Sequence, residues 1–125
     1  MNMPESIHVL VVDDEPAVRV SLRGYLCDRG FSVHLSESAE DALKLLEDQT
    51  IDVAIVDMRL GGMDGNTFIL KAHEAWPLIK FLIYTGSSQY MLTPALAEIG
   101  VSNKDVFQKP LNDMSVIVDA IHRHT

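Results

Sequence analysis

Residues 9–16 read VLVVDDEP, a run of four apolar residues that leads directly into three acids and a proline. A near-continuous run of Val and Leu is typical of a strand covered on both faces within a parallel sheet. Proline is favoured at the first position of a helix, so Pro16 predicts a helix directly after the acids. Asp13, Asp14 and Glu15 therefore either cap that helix or hold a cation, and the rest of the chain has to decide between the two.

The remaining sequence alternates between short apolar runs and segments with helical periodicity. Four more runs predict strands: FSVHLS, IDVAIVD, IKFLIYT and DVFQK. Between and after them, helices are predicted to start at Pro16, near Ser38, near Asn66, at Pro94 and around Met114. Five such βα units with short connections predict an α/β fold, a doubly wound five-stranded parallel sheet with helices on both faces. We expect one domain over residues 1–125, with its core at about 8–123.

Composition excludes several classes of protein. The 125 residues are 47% hydrophobic, which argues against disorder, and no apolar run approaches the roughly 20 residues that span a bilayer. The N-terminus lacks a signal-peptide pattern, and the single Cys27 cannot form a disulfide within the chain. Both features predict a cytoplasmic protein without a membrane contact.

Net charge and histidine spacing argue against two further kinds of ligand, nucleic acid and a metal ion bound by histidines. A net charge of −8 speaks against direct contact with nucleic acid, which needs clustered Lys and Arg. The five histidines show no spacing that predicts a pair of metal ligands. We therefore do not expect a histidine metal site.

Polar residues follow four of the five predicted strands. Asp13 and Asp14 end the first, Asp57 the third, Thr85 the fourth and Lys109 the fifth. Ligands of open α/β sheets bind outside the carboxyl ends of the strands, so these side chains converge if the four strands are neighbours.

Such a convergence has a definite chemistry. Three carboxylates in one place repel unless a cation lies among them, and oxygen ligands of this kind suit Mg²⁺. Lys109 and Thr85 add an ammonium and a hydroxyl that can receive a phosphoryl group. A carboxylate can itself be the nucleophile, and Asp57 is the candidate because the metal needs the first-strand pair.

Four motifs in order, VLVVDDEP, IVDMRLGGMDG, IYTG and FQKP, make the chain resemble the receiver domain of bacterial two-component response regulators. The resemblance covers about His8 to Arg123. It implies a flavodoxin-like (βα)5 fold with strand order 2-1-3-4-5. It also implies a signalling switch rather than an enzyme that turns over small molecules.

The resemblance also implies roles for individual residues. Asp57 would accept a phosphoryl group from a sensor histidine kinase or a histidine phosphotransfer protein. Mg²⁺ would be held by Asp13, Asp14, Asp57 and the backbone carbonyl of Arg59. Thr85 and Lys109 would contact the phosphoryl oxygens, Gly86 would leave room for the group, and Arg59 and Ser87 would tune its hydrolysis. A downstream protein partner or effector domain is implied, as is a homodimer through the last two units.

Two departures from the family pattern bear on the switch. Val106 stands where receivers usually carry an aromatic residue, and alternation along the strand predicts that the neighbouring Phe107 packs in the core instead. Tyr84 and Tyr90 are candidates for part of the aromatic role. The segment before the fifth strand is also lengthened by SNKD, and the short fourth helix follows an irregular SSQYML. We therefore expect this region, residues 87–92 above all, to be mobile or unusually shaped. In the family the bond before Pro110 is often cis.

Three alternative functions stay open or are disfavoured at this point. A degenerate receiver would bind partners without phosphorylation, which Val106 permits and the intact Asp57, Thr85 and Lys109 oppose. A phosphatase of the haloacid-dehalogenase type needs a D-x-D motif after the first strand, and this chain has none there. Flavin binding would need a phosphate-cradling loop where the three acids lie.

Overall fold

The computed structural model describes residues 6–125. The strands are β1 His8–Val12, β2 Ser32–Ser36, β3 Val53–Val56, β4 Lys80–Thr85 and β5 Val106–Gln108. The helices are α1 Pro16–Asp28, α2 Ala39–Asp48, α3 Gly65–Ala75, α4 Pro94–Glu98 and α5 Ser115–His124, and a 3₁₀ turn spans Asn103–Asp105. Over this range no helix is both long and apolar enough to cross a bilayer.

The five strands form one parallel sheet in the order β2-β1-β3-β4-β5, as predicted. The register pairs Val12 with Val56, so the residues that follow, Asp13 and Asp57, leave the sheet side by side. Backbone hydrogen bonds extend the ladder past the strands, because the Asp57 N–H donates to the Val12 carbonyl at 2.9 Å. The sheet therefore fixes where the two acids lie.

Each face of the sheet carries its own hydrophobic layer. Val9 and Val11 pack against α1 and α5, while Leu10 and Val12 pack against α2, α3 and α4. All four side chains are fully buried. Coverage on both faces explains why this strand reads as a continuous apolar run rather than an alternating one.

The helix starts agree with the sequence signals in most cases. Ser38 and Thr93 accept hydrogen bonds from the N–H groups of Asp41 and Leu96, as N-caps do. The third helix begins at Gly65, next to the predicted start near Asn66, and the Asp64 side chain caps it by accepting from the Thr67 N–H at 2.8 Å.

The first helix decides the question raised by the acids. It begins at Pro16 as predicted, but its N-cap Glu15 makes no side-chain capping hydrogen bond. Asp13 Oδ1 instead accepts from the Glu15 N–H at 2.9 Å. Glu15 precedes the first helical residue, so this hydrogen bond satisfies no N–H group of the helix itself. Helix capping therefore does not account for the acidic run.

The segment between β4 and α4 is irregular, as expected, and α4 has only five residues. Tyr90 ties it down, because its hydroxyl donates to Asn66 Oδ1 at 3.1 Å and its N–H to the Ser87 carbonyl at 3.3 Å. The SNKD insertion is not a simple loop. Ser102 and Asp105 form a capping box around the 3₁₀ turn, which gives the added residues a fixed shape.

The last helix is fastened to this turn by polar contacts. His124 Nε2 donates to the buried Asp105 Oδ1 at 2.7 Å. Nearby, Arg123 Nη2 donates to the Lys104 carbonyl at 3.1 Å. These contacts join the carboxyl end of α5 to the residues directly before β5.

Candidate functional site

Four acids meet at the carboxyl end of the sheet. Asp13 and Asp57 are buried, with 2% and 4% of their surface exposed, while Asp14 and Glu15 face solvent. Each offers one carboxylate oxygen, and these four oxygens lie within 4.8 Å of one another. The predicted convergence of Asp13, Asp14 and Asp57 is therefore observed, and Glu15 joins it.

Lys109 is the cation among these acids. Its Nζ lies 2.8 Å from Asp13 Oδ2, 3.3 Å from Asp57 Oδ2 and 3.7 Å from Glu15 Oε1. Its N–H donates to the Thr85 carbonyl at 2.8 Å, and its bond to Pro110 is cis. The end of β5 thus delivers one positive charge to a group of four negative ones.

The pKa shifts of Asp13 and Lys109 reflect burial together with the charges around them. Burial raises the pKa of Asp13, and its hydrogen bonds to Lys109 and to the Glu15 N–H only partly offset that, while the Asp57 charge adds to it. Burial alone would lower the pKa of Lys109, but hydrogen bonding to Asp13 and the charges of Asp13 and Asp57 raise it overall. Four carboxylates share a single ammonium, so the acidic cluster favours a further cation.

The donor set fits a hard divalent ion. Every side chain in the acidic cluster offers oxygen, which is the ligand that Mg²⁺ and Ca²⁺ prefer. Two of the four acids are exposed, which leaves room for the water ligands that Mg²⁺ usually keeps. The backbone of Arg59 lies beside this donor set, because its N–H donates to Asp57 Oδ1 at 3.3 Å.

The fourth strand contributes an enclosed hydroxyl beside an open space. Thr85 is 1% exposed, and its Oγ1 accepts from the Ser87 N–H at 3.3 Å. A Cβ placed on Gly86 would meet no atom within 4 Å. Gly86 is therefore not required by packing within the protein, and the space beside it is free for a ligand.

Val106 and Phe107 lie on opposite faces of the sheet, as the two-residue period of a strand predicts. Val106 is half-buried in the layer of α2, α3 and α4, whereas Phe107 packs in the layer of α1 and α5. The prediction that Phe107 is a core residue is confirmed. Tyr84 packs beside it, and the Tyr84 hydroxyl accepts from the Leu111 N–H at 3.4 Å.

Glu15 belongs to the acidic run that the sequence offered as a possible cation site, and its carboxylate lies in the acidic cluster. One constraint near the cluster was missed from the sequence, the close approach of Gly65. Gly65 approaches the backbone of the Asp57 strand end so closely that a Cβ there would lie 2.9 Å from Met58 Cα and would overlap the Asp57 carbonyl oxygen. Only the three-dimensional packing shows that constraint.

Comparison with known proteins identifies the family. The sequence matches the response regulator receiver domain over residues 9–122. The chain is a response regulator receiver domain.

The receiver domain is similar to segments of larger signalling proteins. It is 29% identical over 114 residues to an NtrX-like response regulator of Rickettsia bellii, which covers 90% of this chain and 23% of that protein. It is 32% identical over 111 residues to the sensor kinase CckA of Brucella abortus, which covers 85% of this chain and 12% of that protein. The chain thus spans less than a quarter of the length of these two relatives.

Solved structures share its fold. The response regulator TrrA of Thermotoga maritima, in complex with Mg(2+)-BeF, superposes with a TM-score of 0.82 at 22% identity, covering 95% of this chain and 99% of that one. FixJ-N superposes with a TM-score of 0.81 at 30% identity, covering 97% of this chain and 94% of that one.

Proposed function

We propose that this receiver domain is a phosphorylation-controlled switch and that Asp57 is its phosphoryl acceptor. The observation that carries the proposal is the position of Lys109 Nζ, which lies between the buried carboxylates of Asp13 and Asp57. An ammonium held there is placed to meet the negative charge of an incoming phosphoryl group. The match to the receiver family over residues 9–122 supports the same assignment, and we take residues 1–125 as one domain with its core at about 8–123.

The proposed transfer uses Asp57 as the nucleophile. A carboxylate oxygen of Asp57 attacks the phosphorus of a phosphohistidine, so that an O–P bond forms as the N–P bond breaks. The departing imidazole nitrogen keeps the electron pair and takes up a proton. Lys109 and the Thr85 hydroxyl donate to phosphoryl oxygens, and the open space beside Gly86 admits the group. Arg59 and Ser87, whose N–H groups donate to Asp57 Oδ1 and Thr85 Oγ1, would tune its later hydrolysis.

We propose Mg²⁺ as the cofactor of this reaction. Asp13, Asp14, Asp57 and the backbone carbonyl of Arg59 would hold the ion, in keeping with the oxygen donors and excess negative charge of the acidic cluster. When bound, Mg²⁺ neutralises charge on the phosphoryl oxygens. The Thermotoga neighbour TrrA was solved in complex with Mg(2+)-BeF, which is consistent with this choice.

The partners follow from the same proposal. The donor would be a phosphohistidine on a sensor histidine kinase or a histidine phosphotransfer protein, and the output would be altered binding to a further protein or effector domain. A net charge of −8 disfavours direct contact with nucleic acid. The free Cys27 fits a reducing cytoplasm. Coupling between acceptor and output surface would be about 1–3 kcal/mol, as is typical of such switches.

The experiment is intact-mass measurement after incubation with acetyl phosphate, with and without Mg²⁺. We expect a Mg²⁺-dependent gain of one phosphoryl group, lost in Asp57→Asn and kept in Asp48→Asn, whose exposed carboxylate ends α2. No gain under any condition would contradict the proposal. That result would favour a receiver that binds partners without phosphorylation, in line with Val106 at the aromatic position.

A further inference from the structure

Two histidines meet at the amino-terminal end of the sheet, although their spacing in the sequence gave no reason to expect a pair. His8 begins β1 and His34 lies within β2, the edge strand beside it. The register pairs His34 with Leu10, so His8 is its diagonal neighbour. Leu10 shares its face with His8, while Val33 and Leu35 pack on the opposite layer, so both imidazoles lie on one face.

The geometry of the pair is close to that of two metal ligands. His8 Nδ1 lies 3.2 Å from His34 Nε2, and the rings are stacked with centroids 5.5 Å apart and planes 19° apart. Two nitrogen ligands of tetrahedral Zn²⁺, each about 2.0–2.1 Å from the ion, are separated by about 3.3–3.4 Å. Without an ion the same distance accommodates an N–H···N hydrogen bond. When an ion takes both nitrogens, the donor imidazole changes tautomer and carries its proton on the other ring nitrogen.

We propose that His8 and His34 form a chelating site for a borderline divalent ion of the Zn²⁺ class. The strands hold the backbone rigid on both sides of His8, because the His8 N–H donates to Asp52 Oδ2 at 2.8 Å and the His8 carbonyl accepts from the Asp52 N–H at 2.9 Å. Such fixed spacing lowers the cost of ordering two ligands. The nearby Asp52 carboxylate adds negative charge.

The histidine pair supplies two of the ligands that an ion of this class needs. Within residues 6–125 no third histidine, cysteine or carboxylate joins the pair at ligand spacing, so water would complete the coordination sphere.

This histidine site is separate from the acidic cluster. Five residues of extended chain, His8 to Asp13, separate the two ends of β1 by about 16 Å. The ligand preferences differ as well, since imidazole favours Zn²⁺, Ni²⁺ or Cu²⁺ whereas carboxylates alone favour Mg²⁺. An ion bound by both histidines would fasten the edge strand β2 to β1.

The test is a Zn²⁺ titration of the untagged chain in saturating Mg²⁺, with Cys27→Ser as background because that exposed thiol could bind Zn²⁺ itself. Loss of one of two ligands should weaken Zn²⁺ binding by at least about tenfold, more than loss of a supporting contact. We expect that effect from His8→Asn and from His34→Asn. The double variant should lose little more than either single one, since a chelate needs both.

Matched controls separate this histidine site from the phosphorylation site. His73→Asn removes a histidine on α3, and Asp57→Asn alters the acidic cluster; both should leave Zn²⁺ affinity unchanged. Independently of any substitution, ¹⁵N spectra should show His8 Nδ1 and His34 Nε2 shifting together as Zn²⁺ is added. Equal Zn²⁺ affinity in all histidine variants, or loss of affinity in Asp57→Asn alone, would overturn the proposal.

Discussion

Lys109 contacts three carboxylates at once, and the balance of charge around it governs the chemistry of the acidic cluster. Two unit charges 4.8 Å apart, the span of the four oxygens, interact by about 3–4 kcal/mol at an effective dielectric constant near 20. The repulsion between Asp13 and Asp57 is therefore comparable with the attraction that Lys109 supplies to either one. The charges of Asp14 and Glu15 leave the acidic cluster with a net negative charge, which a divalent ion can neutralise.

Arg59 offers a test at the level of a single side chain. It is exposed, and its backbone lies against Asp57, so its guanidinium can shield a phosphoryl group from water. Exposed charge interactions of this kind contribute about 0.2–1 kcal/mol, so Arg59→Ala should shorten the phosphorylated lifetime by a factor of about 1.4 to 5. The lifetime is measured by following the loss of the phosphoryl group over time with intact-mass spectrometry. Lys71→Ala, an exposed cation on α3, is the control, and an unchanged lifetime in Arg59→Ala removes the shielding role.

His34 makes a prediction about pH. Its pKa in the folded state lies below 6.5, owing first to burial and then to the charge of His8. The unfolded chain therefore binds this proton more readily than the folded chain. The His34 contribution to the free energy of unfolding is fully present above pH 6.5, and it is lost as the pH falls below that value. Chemical denaturation between pH 7.5 and 5 should show a shallower slope for His34→Asn. The exposed His122→Asn should keep the wild-type slope, and equal slopes in all three proteins would contradict the assignment.

At the scale of secondary structure, the sheet places the residues of the acidic cluster and α3 closes it from behind. Gly65, the first residue of α3, lies against the backbone of Asp57 and Met58. The turn before it needs Gly62 at a φ of 84°, a conformation that residues with a Cβ rarely adopt. The glycines of GGMDG thus serve two purposes, a left-handed turn and a close approach.

Gly65→Ala should destabilise the protein, because its Cβ would press on backbone rather than on a flexible side chain. Overpacking of this kind costs about 1–3 kcal/mol. Gly24→Ala is the matched control: it lies within α1 with no atom within 4 Å of the added Cβ, so higher helix propensity should stabilise it by up to about 1 kcal/mol. Urea denaturation compares the two, and a neutral Gly65→Ala would show that the strand end can shift.

The elements also show where sequence reasoning succeeds and where it fails. Asp13, Asp57, Thr85 and Lys109 could be placed together because parallel strands end at one edge, whatever the details of packing. Phe107 followed from the two-residue period of a strand. The His8–His34 pair could not be found, because a diagonal contact depends on the register between two strands. The ordered SNKD turn differs from the loop expected of it, although Ser102 and Asp105 have the spacing of a capping box.

For the molecule as a whole, the net charge of −8 and the acidic cluster lead us to expect a stability that depends on cations. An ion that binds only the folded state stabilises it by mass action, by about 1.4 kcal/mol at ten times its Kd. Mg²⁺ should therefore raise the melting temperature by a few degrees. Asp14→Asn should reduce that rise and Asp48→Asn should not. Calorimetry in EDTA and in Mg²⁺ measures it, and an equal rise in both variants would show that Mg²⁺ acts only by general screening.

The contacts of His124 and Arg123 with the turn before β5 have a mechanical consequence. Tension applied along α5 would pass through the 2.7 Å bond to Asp105 and the 3.1 Å bond to the Lys104 carbonyl before it reached the hydrophobic face of the helix. The load would then fall on Asp105, which directly precedes β5 and lies four residues ahead of Lys109. The short strand β5 therefore connects the contacts of α5 at its amino end with Lys109 at its carboxyl end. A force on α5 would act on the same strand that positions the Lys109 charge.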